Sequence, residues 1–391
     1  MRLGRRLLAV LLTTLLLPAA AAAAPPQLEA RAWALIDART GDVLASHAPG
    51  RRLPIASATK MMTAYVALQE LPLRRVVRAA PYPAIFGESL LELRPGQRVS
   101  VRDLLYGLIL RSGNDAAADL ARAAAGSERR FVRQMNARAA ALGLADTHYA
   151  NPIGLDQAGN YSSAFDLTTL GRRLLEIPAF ARIADARSAE LHSLRPPRRV
   201  ETLNDLLYRE PWATGVKTGH TFGAAYVLVG SGERRGTELI SAVVGAPTET
   251  ARDLETIRLL EYGFSRYHKS TPVRAGERMA AASIRYAGGE LALRAARTLE
   301  VGVRRDQQLS VVVRAPAEVE GPLRRGAALG RATVFLDGRR VATTPLRAGQ
   351  AVPKASALDR ARSFASDNGI AIGVAGFVIL MGVVFLRRFT R

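Results

Sequence analysis

The 391-residue sequence predicts a mixed α/β domain followed by a small all-β domain, with one apolar segment at each end of the chain. Three observations carry this expectation. Helical periodicity alternates with short strand-like runs as far as about residue 264. The strand-like runs come in pairs joined by short glycine-containing turns, the pattern of antiparallel hairpins. Beyond about residue 272 the helical patterns give way to short alternating segments punctuated by Gly and Pro.

In chain order, residues 1–24 have a basic start (Arg2, Arg5, Arg6), an apolar run over 7–17, then Pro18 and an alanine tract. That layout is a secretory signal, cleaved near Ala22 or Ala24. Its apolar run is too short to cross about 30 Å of hydrocarbon. Residues 25–266 form the first domain. It opens with strands at 32–37 and 42–45 around the turn Arg39-Thr40-Gly41, and continues through helical patterns at 61–69, 101–110, 115–124 and 129–142. Strands at 225–230 and 239–245 flank a turn at 232–236, and a helix over 252–262 closes the domain. Residues 271–353 form the β-rich domain, with strands at 291–294, 309–313, 331–337 and 341–344. Residues 354–368 read as a linker or polar helix. Residues 369–386 are uncharged and mostly apolar, closed by Arg387, Arg388 and Arg391. This predicts a C-terminal transmembrane helix with a basic cytoplasmic tail at 387–391, so the body of the protein lies on the extracytoplasmic side of the cell membrane.

Composition removes several function classes. Cysteine is absent, which excludes a disulfide framework, a thiol nucleophile and thiolate metal sites. The five histidines, His47, His148, His192, His220 and His268, show no metal-ligand spacing, and no metal or cofactor is expected. The net charge of +21 is spread along the chain without an arginine-rich tail or an aromatic-basic pattern, so no nucleic-acid partner is expected. An arginine-rich surface facing an anionic wall or membrane accounts for it. Only four of the 55 basic residues are lysines: Lys60, Lys217, Lys269 and Lys354.

That scarcity sharpens the chemistry. In Ser57-Ala58-Thr59-Lys60 the serine stands at or near a helix start, and three-residue spacing puts the lysine on the same face. A buried lysine loses its charge readily and its neutral amine can take the serine proton. An arginine cannot. Lys217-Thr218-Gly219 holds a second lysine directly before the later hairpin strands, where a glycine lets substrate backbone lie against a sheet edge. Ser112-Gly113-Asn114 offers a hydroxyl and an amide on a short turn between two helical patterns.

The ordered set Ser-x-x-Lys, Ser-x-Asn, Lys-Thr-Gly resembles the penicillin-recognising serine enzymes, and among them the low-molecular-mass penicillin-binding proteins that act as D-alanyl-D-alanine carboxypeptidases. The resemblance extends to Lys60-Met61-Met62-Thr63, Gly154-Leu155-Asp156 with Tyr161-Ser162-Ser163-Ala164, Lys217-Thr218-Gly219-His220-Thr221, and Leu259-Leu260-Glu261-Tyr262-Gly263-Phe264. It covers essentially the whole mature chain, the β-rich segment being similar to that family's C-terminal domain. It implies a penicillin-binding/β-lactamase-like α/β catalytic domain and an acyl-enzyme on Ser57, with Lys60 as base and Ser112 relaying a proton to the leaving amine. It further implies that Asn114 holds the substrate amide and that the backbone N–H groups of Ser57 and His220 form the oxyanion hole. Lys217, Thr218 and Arg252 would take the free substrate carboxylate beside Gly219. The implied partners are the peptidoglycan stem peptide, β-lactam antibiotics and the cytoplasmic membrane.

Two departures from the family pattern stand out. Thr221 is followed by Phe222-Gly223 where relatives often carry an acidic residue and alanine, and the C-terminal run is continuously apolar rather than amphipathic. A serine β-lactamase would need an added glutamate and water, but Glu201 and Asn204 have the wrong spacing for that loop and lie too near Lys217. A catalytically silent wall-binding protein tethered to the membrane is the non-enzymatic alternative, and against it every motif residue is present.

Overall fold

The computed structural model describes residues 24–367. The expected signal, up to residue 23, and the apolar run 369–386 lie outside the described residues, among which no helix is long and apolar enough to cross a membrane. The elements of the first domain are, in order, β1 (Ala32–Asp37), β2 (Val43–His47), α1 (Thr59–Glu70), β3 (Val76–Arg78), β4 (Arg98–Ser100), α2 (Val101–Leu110), α3 (Asn114–Ala125), α4 (Glu128–Ala141), α5 (Ala164–Leu175), α6 (Pro178–Ala184), β5 (Ser188–Leu191), β6 (Arg198–Glu201), α7 (Leu206–Arg209), β7 (Ala213–Thr221), β8 (Ala225–Arg234), β9 (Thr237–Ala246) and α8 (Glu249–Ser265).

β1, β2, β7, β8 and β9 form one antiparallel sheet in the order β2-β1-β9-β8-β7. Side chains alternate across it with period two, so neighbours in sequence enter different cores. Ile36, Val229 and Ile240 face Met61 and Leu167 on the multi-helix side. Leu35, Leu228 and Leu239 face Leu259 and Leu260 of α8 on the other. Both faces of β1 are covered, and all six of its residues are buried.

Four helix starts are fixed by hydroxyl caps. Ser100, Ser127, Ser163 and Thr248 each accept from the backbone N–H three residues on, worth about 1 kcal/mol apiece. α1 is different. It follows a single 3-10 turn, Ala56–Ala58, and its N-cap residue Ala58 has no side-chain cap bond. Ser57, inside that turn, is therefore not consumed as a helix cap.

The all-β domain comprises β10 (Tyr267–Val273), β11 (Arg278–Ile284), β12 (Glu290–Ala295), β13 (Leu299–Arg304), β14 (Leu309–Arg314), β15 (Glu318–Val319), β16 (Ala328–Leu336) and β17 (Arg339–Ala348), followed by helix α9 (Ala357–Asp367) in the stretch read as linker or polar helix. Six strands form a sheet ordered β14-β16-β17-β12-β11-β15, and β10 pairs with β13. Val273, Leu293, Val301, Val334 and Leu346 belong to its separate core.

The two domains meet at one end of the five-stranded sheet. Asp42 in the β1–β2 turn pairs with Arg304 at 3.3 Å and Arg339 at 3.2 Å, and Tyr267 Oη donates to Asp37 Oδ2 at 2.6 Å. Gly219 lies toward the other end, in register with Val227 and, across the sheet, Val244. From Val227 to Arg234 the strand runs about 23 Å, so the β-domain is docked well away from the residues around Gly219.

Candidate active site

The junction of the 3-10 turn with α1 puts Lys60 Nζ 2.9 Å from Ser57 Oγ. Nζ also donates to the carbonyl of Ile153 at 2.6 Å. Lys60 is 0% exposed. Burial, with the nearby Lys217 charge adding to it, holds the Lys60 amine well below the usual lysine range, while Glu88 and Asp115 pull it back upward. An amine whose charged form is disfavoured, in contact with a serine hydroxyl, is the arrangement that general-base activation of that hydroxyl calls for.

Two glycines press backbone against the turn carrying Ser57. Gly154 sits at φ +91°, and a Cβ there would stand 2.0 Å from the Ala56 carbonyl oxygen. Its loop is held by Asn151 Oδ1, which accepts from Gly154 N at 2.7 Å and Ile153 N at 3.2 Å, and by Thr63 Oγ1, which donates to the Pro152 carbonyl at 2.6 Å. On the other side a Cβ on Gly219 would lie 3.0 Å from Ser57 N. β7 is an edge strand, so its outer backbone edge opens beside Ser57.

Ser112 and Asn114 come from the tight passage between α2 and α3. Ser112 adopts φ 59°, a left-handed conformation costing a non-glycine residue about 1 kcal/mol or more. Its hydroxyl is buried without a hydrogen-bond partner, which leaves it available to a bound group. Asn114 opens α3; its backbone N–H donates to the Ser89 carbonyl at 2.8 Å and its Nδ2 donates to Glu88 Oε2 at 2.7 Å.

β7 carries Lys217, Thr218, Gly219 and His220. Lys217 is 1% exposed, and Nζ donates to the Thr218 carbonyl at 2.8 Å. Burial, helped by the Arg252 charge, draws its amine down to about 7. Arg252, on the first turns of α8, is itself buried: Nε donates to Asp253 Oδ1 at 2.8 Å, and Nη2 lies 3.1 Å from Glu249 Oε1. The exposed His220 ring stacks on Tyr226 with centroids 4.2 Å apart. At the departure noted after Thr221, Asp156 takes hydrogen bonds from Thr221 Oγ1 at 2.7 Å and Gly223 N at 2.8 Å. A Cβ at Gly223 would stand 2.9 Å from that carboxylate, so a larger residue here would displace the Asp156 side chain, while Phe222 is left fully exposed at the rim.

Ser57 and Lys60 are thus in direct contact, Lys217 acts on Lys60 and Arg252 on Lys217 through their charges, and Asn114 is joined to them through Glu88, while the Ser112 hydroxyl has no hydrogen-bond partner. Sequence reasoning missed Asn151, Asp253 and Glu88. Asn151 acts through backbone held three residues on. Asp253 pairs with its immediate neighbour, a spacing at which helical side chains do not ordinarily face each other. Glu88 is 26 residues from Asn114, with no local pattern joining them.

Comparison with known proteins follows the geometry. The family model for D-alanyl-D-alanine carboxypeptidase matches residues 19–248, and the model for the penicillin-binding protein 5 C-terminal domain matches residues 267–354. The chain is 33% identical over 347 residues to the D-alanyl-D-alanine carboxypeptidase DacA of Escherichia coli, covering 84% of this chain and 85% of that one. It is 34% identical over 339 residues to DacC of the same organism, covering 82% and 84%. Among solved structures, penicillin binding protein 5 from Haemophilus influenzae superposes with a TM-score of 0.60 at 28% identity, covering 85% of this chain and 100% of that one.

Proposed function

The chain belongs to the D-alanyl-D-alanine carboxypeptidase family, and from that premise we propose that Ser57 is its nucleophile and Lys60 its general base. The enzyme removes the terminal D-alanine from a peptidoglycan stem pentapeptide through a serine acyl-enzyme, and the family in general is a target of penicillin. The observation that carries the residue assignment is the 2.9 Å contact between Ser57 Oγ and an amine that burial keeps below its ordinary pKa.

In this reading the substrate backbone extends the sheet along the free edge of β7. Ser57 Oγ attacks the carbonyl carbon between the last two D-alanines as Lys60 takes its proton. The carbonyl oxygen becomes an oxyanion held by the N–H groups of Ser57 and His220. Collapse breaks the C–N bond as Ser112 relays the proton held by Lys60 to the leaving amine, and water then cleaves the acyl ester, giving its proton back to Ser57 Oγ through Lys60. Asn114 holds the substrate amide. Lys217, Thr218 and Arg252 receive the terminal carboxylate, whose arrival favours the charged form of Lys217.

The test is D-alanine release from a pentapeptide ending in D-Ala-D-Ala, measured for the free acid and its C-terminal amide. The amide loses one charge-assisted contact worth about 1.5 to 3 kcal/mol, so its kcat/KM is expected to fall roughly 10- to 150-fold. Arg252→Ala imposes a similar loss on the acid and little further loss on the amide, because both changes remove one interaction. Removing the guanidinium also leaves Asp253 buried and unpaired, so a lower melting temperature accompanies the change. No D-alanine release would overturn the reaction, and an unchanged acid-to-amide ratio in Arg252→Ala would overturn the role of Arg252.

The run 369–386, closed by Arg387, Arg388 and Arg391, supports a single C-terminal span with the catalytic domain on the extracytoplasmic side of the cytoplasmic membrane. A chain ending at residue 368 is expected to fractionate as a soluble, active enzyme. Its full retention with membranes would show that another surface does the anchoring.

A further inference from the structure

The segment between β3 and β4 crosses the Asn114 side of the site and is tied down by carboxylates. Asp119 accepts from Ala80 N at 3.2 Å, and Asp115 accepts from Leu91 N at 2.8 Å and Leu93 N at 2.9 Å. Those bonds hold backbone. Glu88, on the segment itself, is different, because its bonds reach a side chain of the site. Oε2 accepts from Asn114 Nδ2 at 2.7 Å and from Tyr82 Oη at 2.6 Å, and Oε1 accepts from Ile85 N at 3.2 Å.

An ionised carboxylate only accepts hydrogen bonds, whereas an asparagine amide has a donating and an accepting end that are sterically alike. Only the NH2 end of Asn114 can therefore face Glu88, and Oδ1 is turned away. Burial raises the Glu88 pKa, but the bonds from Asn114, Tyr82 and Ile85, with the Lys60 charge, outweigh it and hold the group below the usual carboxylate range. It is ionised at neutral pH. The charges bearing on Lys60 are Lys217 from β7, Asp115 from α3 and Glu88 from this segment.

We propose that Glu88 is a positioning residue for acylation: as an anion it locks the Asn114 amide in one orientation and sets a negative charge opposite the Lys60 amine. The proposal rests on the reading of Lys60 as base and Asn114 as a substrate contact. It gives Glu88 two separable effects. One is the orientation of Asn114, which governs how the substrate amide is held. The other is electrostatic, since an anion facing Lys60 favours the protonated amine and so places the acidic limb of the acylation profile at higher pH than it would otherwise have.

The experiment measures the second-order acylation rate constant with a fluorescent penicillin, and kcat and KM for D-alanine release, across pH. Glu88→Gln keeps the size of the side chain but removes the charge and the demand for a donor. It is expected to lower the acylation constant about 10-fold and to move the acidic limb down by about half a pH unit or more. Glu88→Asp keeps the charge on a shorter arm, so the limb is expected to stay near its wild-type position while the acylation constant falls. Tyr82→Phe removes one bond to Glu88 but neither its charge nor its contact with Asn114, and leaves the limb in place. If Glu88 only tethers the segment, Tyr82→Phe and Glu88→Gln behave alike and the limb does not move in either, which overturns the proposal. Melting curves of the isosteric Glu88→Gln separate misfolding from loss of rate. Should Lys60→Arg acylate normally, the underlying reading fails instead, whatever Glu88 does.

Discussion

Ser57→Ala abolishes both penicillin labelling and D-alanine release while leaving the fold intact. In the proposed mechanism this hydroxyl accepts the acyl group, and it is the hydroxyl in contact with Lys60. Removing an acyl-accepting nucleophile costs about 10⁴-fold or more, and no covalent label can accumulate without it. The stability cost is small for a reason visible in the fold. Ser57 lies within a 3-10 turn, caps no helix, and loses only its contact with Lys60. A change within about 1 kcal/mol is expected, so the variant melts near the wild-type temperature. Gel fluorescence after incubation with a labelled penicillin, run beside a thermal melt, checks both halves. Labelling of Ser57→Ala at full stoichiometry would refute the assignment.

The readable parts of this protein were those governed by local rules. The apolar run of β1, the paired strands β8 and β9 around their glycine turn, and helices α1 to α4 follow from periodicity and turn chemistry. Lys60 and Lys217 stood out because arginine performs almost every other basic role in this chain, and arginine cannot give up its proton. β7 was harder. Lys217 was placed directly before the hairpin strands, whereas it lies inside the edge strand Ala213–Thr221. With Gly215, Gly219 and three threonines, that strand shows little of the apolar alternation that marks β8, because its outer edge opens on the site rather than on another strand.

What remained hidden depends on backbone meeting backbone at long range. Nothing around residue 154 announces that its Cα must approach Ala56, and the triplet Gly154-Leu155-Asp156 drew notice only through resemblance. The same triplet joins two sides of the site. Gly154 supports the turn of Ser57, while Asp156 two residues on fixes the β7–β8 turn through Thr221 and Gly223. The departure at Phe222-Gly223 is therefore matched by a partner far away in sequence, and only the folded chain shows the two together.

Lys60→Arg reduces acylation at neutral pH by about 10² to 10⁴-fold or more, the range associated with loss of a positioned general base, because a guanidinium stays protonated. Lys60→Met removes the base equally and permits a second measurement that does not depend on activity. The buried amine of Lys60 has its pKa depressed on folding, mainly by burial and further by Lys217. Between that lowered value and the unfolded value near 10.4, the unfolded chain carries a proton at this site and the folded chain does not. Stability then rises with pH, by about 1.4 kcal/mol per unit from this one group. Lys60→Met lacks the contribution, so its unfolding free energy climbs less steeply than wild type as pH rises toward the unfolded lysine value. The prediction is a joint one: acylation is lost and the slope is shallower. Equal slopes in the two proteins would mean that Lys60 is buried with its charge, and an amine already protonated cannot take the proton of Ser57.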